Sequence, residues 1–287
     1  MTNIILQSCF IFLWGSAFIA AKFGLADAGP FSMLLTRFFI VTIIFILLGI
    51  IFRNSWPKFT QISHLFLVGL LLHGFYLGGV FYAISVGTPA GISSLIVSLH
   101  PALTCIFAII LTNEKIRIDQ WIGIILGIIG VYIVTWPKLG GEIPIIGFIS
   151  CVIALTGISY ATIHQKKYLS DMNILSGNAF QAFAACIFFL LVISFIEPYK
   201  FNLSLNLLLS MLYLIFPVSI GAISILMILI RRGEIAKTAS LFFLCPLVTA
   251  FLGFVIFHEK LGFIGLIGFC ITSSGVWLVN RTLNLKT

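Results

Sequence analysis

Arg37 is the residue whose chemistry most needs a partner. Of the 16 Lys and Arg in the chain it is the one that falls clearly inside an apolar stretch. A charge at the centre of a bilayer helix costs about 2.5–3.5 kcal/mol on insertion scales. Two readings offset that cost. The guanidinium can hold a carboxylate or phosphate of a small molecule, or brace its helix through carbonyl contacts. Alternatively the side chain snorkels outward to the headgroups. The histidines form the next polar set: His73 with Tyr76 three residues later, His100 directly before Pro101, and His164. Each reads as a hydrogen-bonded structural imidazole or as a proton carrier. The carboxylates Asp27, Glu114, Asp119, Glu142, Asp171, Glu197, Glu234 and Glu259 all lie at the ends of apolar stretches or between them.

The elements that must position these groups are long and greasy. The chain is 61% apolar and 8% charged, far from the roughly 45–50% and about 25% of a soluble domain, so a soluble globule is excluded. Apolar stretches at 4–21, 31–52, 64–86, 91–112, 121–136, 143–164, 175–196, 207–230, 236–257 and 261–280 meet or approach the roughly 20 residues a helix needs to cross the hydrocarbon core. Alternating short strands are missing, which excludes a barrel. Connections such as Ala28-Gly29-Pro30 and Gly87-Thr88-Pro89 are short, so a single membrane domain, 1–287, fills the chain. The first stretch follows Met1-Thr2-Asn3 with no basic residue and reads as a retained helix rather than a cleaved signal. All six cysteines lie inside apolar stretches without paired spacing, which suits packing and argues against disulfides or a zinc site. The net charge of +8 bears on membrane orientation rather than on nucleic acid. Eleven Lys and Arg fall on the side of the termini and four on the other, so both termini are expected in the cytoplasm.

The chain also repeats itself. Pro101 and Pro246, Glu114-Lys115 and Glu259-Lys260, Gly123 and Gly268, Gly130-Val131 and Gly275-Val276 are each 145 residues apart, as are Lys22 and Lys167. The period predicts two five-helix repeats, 1–137 and 142–287, and an odd number of passes turns the second copy upside down. The fold class expected is therefore an all-α integral membrane protein of ten transmembrane helices, arranged as two five-helix inverted-topology repeats. Such repeats place a small-molecule site near the midplane between the halves and move it by alternating access. Pro101 and Pro246 each free a backbone carbonyl, so these kinks are candidate cavity walls and gates, or else kinks packed against neighbours. On a helical wheel Pro101, Cys105 and Ala108 share a face, as do Pro246, Ala250 and Gly253, and the two faces are expected to approach closely. Gly123, Gly127 and Gly130, copied as Gly268, Thr272 and Gly275, form a small face for packing between helices or between two protomers of a homodimer. Glu114 and Glu259 are expected to fix helix-to-helix turns.

Trp14-Gly15-Ser16 with Lys22, Arg37-Phe38, Tyr82-Ala83, and the paired Pro101-to-Glu114 and Pro246-to-Glu259 stretches resemble the EamA family of the drug/metabolite transporter superfamily over the entire chain. Ser159-Tyr160 stands where a second Trp-Gly would fall, which departs from that pattern. The resemblance implies a bacterial inner-membrane carrier of small organic metabolites, often an exporter of amino acids or related compounds. It also implies a cavity lined chiefly by the first, third, fourth, sixth, eighth and ninth helices. Trp14, Tyr76, Tyr82 and Tyr160 fall on those helices and are candidates, with Arg37, His73 and His100, for contact with the cargo. Asn178 and Gln181 fall near the copies of Met33 and Thr36 and are read as interhelical hydrogen-bonding residues or as a polar counterpart of Arg37. With no carboxylate at the midplane, an uncoupled exporter or exchanger is expected. Competing readings are an intramembrane enzyme or a scaffold subunit. His258-Glu259 lacks the second histidine of a zinc protease motif, and no phosphate-binding GxxxxGK[ST] loop occurs, so neither a cofactor nor enzymatic activity is expected.

Overall fold

The computed structural model describes residues 2–112, 117–169, 172–195, 197–225, 242, 244–259 and 262–280. These form α1 (Thr2–Gly24), α2 (Pro30–Ile51), α3 (Phe59–Ser85), α4 (Ala90–Val97), α5 (His100–Thr112), α6 (Ile118–Thr135), α7 (Ile145–Tyr168), α8 (Ile174–Phe195), α9 (Leu205–Ile225), α10 (Cys245–Phe257) and α11 (Gly262–Asn280). Among the described residues nine helical segments are long and apolar enough to cross a bilayer, α4 and α5 together making one of them, and α10 is a shorter apolar helix. Where they are described, the stretches expected from sequence match these within about five residues; 226–230 of the eighth, 236–241 and 243 of the ninth and 261 of the tenth lie outside the described residues. The described residues contain no β-strand; two short bridging contacts, Ala28 with Phe201 and Leu139 with Ile143, tie loops together.

The outward surface explains why so apolar a chain holds together. Phe39, Ile43, Leu47 and Ile50 of α2, and Ile122, Ile125, Ile129 and Tyr132 of α6, stand exposed at helical spacing. Water would penalise such continuous patches, whereas hydrocarbon does not. The polar side chains instead turn inward: Ser16, Arg37, His73, Ser94, Ser159, Gln181, Ser219 and Thr249 are all buried. Helix starts are built conventionally, with Pro30 in the first turn of α2 and Ser204 accepting from Leu207 N at 3.0 Å to cap α9.

Packing follows a rule of exchange. α1 lies against α9 and α10, while α7 lies against α3, α4 and α5; α2 pairs with α8, and α6 with α11. Replacing each helix by the one five passes later leaves this pattern intact. The α6–α11 pair packs through glycines: a Cβ on Gly130 would sit 2.5 Å from Thr272 N, and one on Gly275 2.5 Å from Gly127 N. Gly123 faces Gly275 while Gly130 faces Gly268, so the two helices run antiparallel. α2 and α8 are antiparallel too, since Phe38 stacks on Phe189 at 6.1 Å while Thr42 meets Cys186 at 3.8 Å. The glycine face is thus used within the chain, which removes the sequence argument for a protomer contact there.

Two segments depart from α-helical winding. Leu70–Leu77 in α3 and Leu214–Ala222 in α9 are π-helical, and their last residues stand 145 positions apart. Each π segment widens its helix in mid-membrane, a deformation common at functional sites.

Candidate functional site

The interior of the bundle holds a small cavity where α1, α3, α4, α5, α7 and α10 meet. Its wall takes Trp14 and Phe18 from α1, Tyr76 from the π segment of α3, and Ser94 and Val97 from α4. Ser98, His100, Ile158, Phe242, Cys245 and Pro246 complete it. The volume, about 20 Å³, suffices for one or two waters. The aromatic side is continuous: Phe242 lies edge-on to Trp14 at 5.3 Å and to His100 at 5.1 Å, and Phe10 backs both Phe242 and Trp14.

The break between α4 and α5 shapes this wall. Pro101 has no N–H to give the Val97 carbonyl, so the helix stops at Val97 and restarts at His100. The His100 side chain hydrogen-bonds to the Val97 backbone instead, and Ser159 Oγ donates to the His100 carbonyl at 3.2 Å. The freed carbonyl is therefore answered by protein. Pro246 stands in the first turn of α10, the corresponding place in the second half. The expected approach of the two proline helices is made differently from the wheel argument. Gly91 of α4, not the Pro101 face of α5, meets Ala250 of α10, and Cys105 instead packs with Ala102, Ile124 and Val279. Breaking the helix at Ser98 and Leu99 turns α5 away from the direction that a continuous wheel assumes.

Beside the cavity lies a buried polar group. Arg37 is 4% exposed, so it does not snorkel. Its Nε and Nη2 donate to Ser219 Oγ at 3.2 and 2.9 Å, and that hydroxyl donates to the Leu214 carbonyl at 2.9 Å. Arg37 thereby joins α2 to the π segment of α9. His73, in the π segment of α3, rests on the Phe38 ring at 4.8 Å, and its Nδ1 is buried without a partner. Tyr76 interacts with Arg37 on one side and with Trp14 on the other.

Of the seven candidates, Trp14, Tyr76 and His100 line the cavity, while Arg37, which interacts with Tyr76, and His73 lie outside its lining. Tyr82 and Tyr160 are not brought there. Tyr82 stacks on Phe31 at 5.8 Å in an aromatic pile that includes Phe189, and Tyr160 lies between Phe107 and His164. Each shares a helix with a wall residue but points from another face. Asn178 bonds within its own helix, to the Ile174 carbonyl at 2.8 Å, and Gln181 reaches Met172 Sδ at 3.9 Å, so neither stands as a counterpart to Arg37. Sequence reasoning missed Ser219, Ser94, Ser98 and Phe242. For Ser219 a signal existed, a hydroxyl two residues after a proline in the middle of an apolar span; Phe242 among 29 phenylalanines gave none.

One end of the bundle is tied by a charged knot. Lys22 Nζ meets Glu259 Oε1 at 2.6 Å and lies 4.3 Å from the Phe257 ring centre. Glu259 also accepts from Ala90 N at 3.2 Å and Gly91 N at 3.4 Å, so it caps α4, a helix from the other half. His258 ends α10 in the left-handed region at φ 54°, folding the chain back so that Glu259 reaches this position. The expected role of Glu259 in a turn is thus wider, because it joins three elements. Glu114 lies outside the described residues. At the same end Glu197 approaches the start of α2, and burial pushes its carboxyl above the usual range against the pull of Phe31 N and Lys200. At the opposite end His64 Nδ1 and His164 Nε2 are 3.0 Å apart, and His64 stacks on Tyr168. Among the described residues no group of three or more His, Cys, Asp or Glu is placed to hold a metal.

A family model for the EamA-like transporter family matches the chain twice, over residues 1–136 and 145–281. Among curated proteins, "Uncharacterized transporter YvbV" of Bacillus subtilis (strain 168) is 24% identical, covering 96% of this chain and 90% of its own length. "Probable amino-acid metabolite efflux pump" of Salmonella typhimurium is 26% identical over 93% of this chain and 91% of its own. A crystal structure with a TM-score of 0.69 covers 96% of both chains at 18% sequence identity, a likeness of fold alone. Together with the apolar helices, these matches make the chain a multi-pass membrane protein whose relatives are named as transporters.

Proposed function

Because the chain belongs to the EamA-like transporter family, we propose that it is a secondary carrier exporting or exchanging a small organic metabolite, an amino acid or related compound, by alternating access. The observation that carries this reading is the cavity at the junction of the halves. Trp14, Tyr76 and His100 come from residues 1–137, and Ile158, Phe242 and Pro246 from 142–287. A site built from both halves changes whenever the halves rock against each other. With room for one or two waters, it admits cargo only when the walls part. The efflux-pump names of two relatives, the Salmonella protein and one from Escherichia coli at 24% identity, support amino-acid metabolites as cargo.

In this reading 1–137 and 142–287 are two five-helix repeats of inverted topology, ten spans in all. The twofold family match, the exchange pattern of the packing, the antiparallel α2–α8 and α6–α11 pairs and the two π segments support it. Trp14, Tyr76 and His100 contact cargo, and Pro101 and Pro246 are the points where helices bend as the gates move. The protein sits in the cytoplasmic membrane with both termini inside, a reading supported by the excess of Lys and Arg on their side. Transport is uncoupled from protons: the described carboxylates Asp27, Asp119, Glu142, Glu197 and Glu259 all stand at helix ends or in loops.

The test is flux in proteoliposomes. Purified protein should speed equilibration of labelled amino acids or related metabolites, leave them chemically unchanged, and do so without an imposed pH gradient. Conversion of the cargo, or no acceleration over protein-free vesicles across the panel, overturns the carrier; strict dependence on a pH gradient overturns the uncoupled mode.

A further inference from the structure

Arg37 carries a full charge into the core of the bundle and meets no countercharge among the described residues. Among the described residues the ion pairs are Lys22–Glu259, Arg117–Asp119 and Lys138–Glu142, and Arg37 belongs to none. Its two hydrogen bonds both fall on the one Ser219 oxygen, which takes up two of five guanidinium N–H groups and supplies no charge. Next to it stands a second incomplete group, His73, 7% exposed with Nδ1 unpartnered. Both pack on one ring: the guanidinium carbon lies 5.5 Å from the Phe38 ring centre and the imidazole 4.8 Å, and the two groups interact electrostatically. A buried cation and an unused ring nitrogen are each expensive alone. One planar monoanion satisfies both.

We infer that Arg37 and His73 form a carboxylate subsite opening past Tyr76 into the cavity, so that the cargo is an organic monocarboxylate with an apolar or aromatic body lodged against Trp14 and Phe242. This rests on the carrier reading and narrows its cargo. The guanidinium fork matches a carboxylate edge. His73, carrying its proton on Nδ1, donates to the second oxygen. One cation balances one negative charge, which favours a carboxylate over a phosphate dianion. Binding here differs between the empty and loaded states by an entire ion pair, the kind of difference a ligand needs in order to shift a conformational equilibrium.

The experiment uses the full chain in proteoliposomes with four probes of one body: L-phenylalanine, 3-phenylpropionate, L-phenylalaninamide and phenethylamine. The acids should be carried at least about tenfold better than the amide and the amine. Arg37→Gln should remove that preference, and His73→Phe should weaken it, while Arg37→Lys keeps part of it. Thermal unfolding of the empty protein separates binding from folding. Arg37→Gln should unfold at the same temperature as wild type or higher, because an uncompensated charge has gone, and only wild type should gain stability from 3-phenylpropionate. Amide and amine carried as well as the acids, or an Arg37→Gln protein that is strongly destabilised yet keeps the preference, overturns the subsite and leaves the carrier standing. Flux of none of the four, nor of any other metabolite in the wider panel, overturns both.

Discussion

The π segments of α3 and α9 end 145 residues apart, yet they carry different chemistry. The first presents His73, Gly74 and Tyr76; the second, at the same offsets, presents Val218, Ser219 and Gly221. Their partners differ as well, since α2 offers Arg37 where α8 offers Ala182. The π winding recurs at the two places and the functional groups do not. In the inverted repeat proposed above, two similar halves supply two gates, whereas one cargo needs one constellation of polar groups. Divergence of side chains on a shared frame separates the two demands.

The frame can be attacked where it is most nearly symmetric. Gly130 and Gly275 lie at the α6–α11 crossing, and a Cβ on either would run into the backbone of the facing helix. Gly130→Val and Gly275→Val should each lower stability by about 3 kcal/mol or more, because backbone cannot yield as a flexible side chain does. Thermal unfolding in detergent measures both. Equal losses sharpen the equivalence of the halves; tolerance at one position and collapse at the other breaks it.

Next in size comes the asymmetric chemistry. Ser219→Ala removes the hydroxyl on which two Arg37 N–H groups rest, and should cost about 1.5–3 kcal/mol, the range for hydrogen bonds to a charged group. Gly74→Ala at the matching place loses no hydrogen bond and only brings a Cβ to 3.0 Å from the Phe188 ring, so the loss should stay below about 1 kcal/mol. The comparison fails if the two variants behave alike in unfolding and in flux.

How far this was legible in the sequence follows from the same division. The all-helical membrane class and the positions of the described helices were readable because hydrocarbon forces long apolar runs, and the 145-residue spacing was readable because prolines and glycines mark backbone geometry that side-chain drift does not erase. Arg37 announced itself through the cost of a charge in lipid. Ser219 gave only the weaker signal of its place after Pro217, since a hydroxyl in a membrane helix is usually satisfied by its own preceding turn. Tyr82 and Tyr160 were placed by helix alone, and helix membership does not fix which face points inward. The π segments hid entirely: an extra residue in a turn has no composition of its own, and it rotates every later side chain relative to an α-helical wheel.

The charged knot allows a third comparison, between an end closed by ions and an interior closed by aromatic contact. Glu259→Gln should loosen the start of α4, leaving Lys22 unpaired and the Ala90 and Gly91 N–H groups with a weaker acceptor, for a loss of about 1 kcal/mol. Exchanging the charges, Lys22→Glu with Glu259→Lys, should not restore it, because an ammonium cannot accept from backbone N–H groups. Recovery of full stability in the exchanged protein would show that the ion pair alone matters and that the helix cap does not.

The smallest effects are expected at Tyr82 and Tyr160. Neither hydroxyl reaches the cavity, and both rings are held by stacking that phenylalanine reproduces. Tyr82→Phe and Tyr160→Phe should therefore change stability by no more than about 0.5 kcal/mol and leave flux within about twofold of wild type. Tyr76→Phe is the control that gives these two variants their meaning. It removes a hydroxyl that faces both Arg37 and Trp14, and it should slow flux several-fold with the fold intact. Three equal responses would mean that aromatic bulk rather than the polar core sets the rate. A response confined to Tyr76 would place the working surface on the α3 π segment, where the two halves differ most.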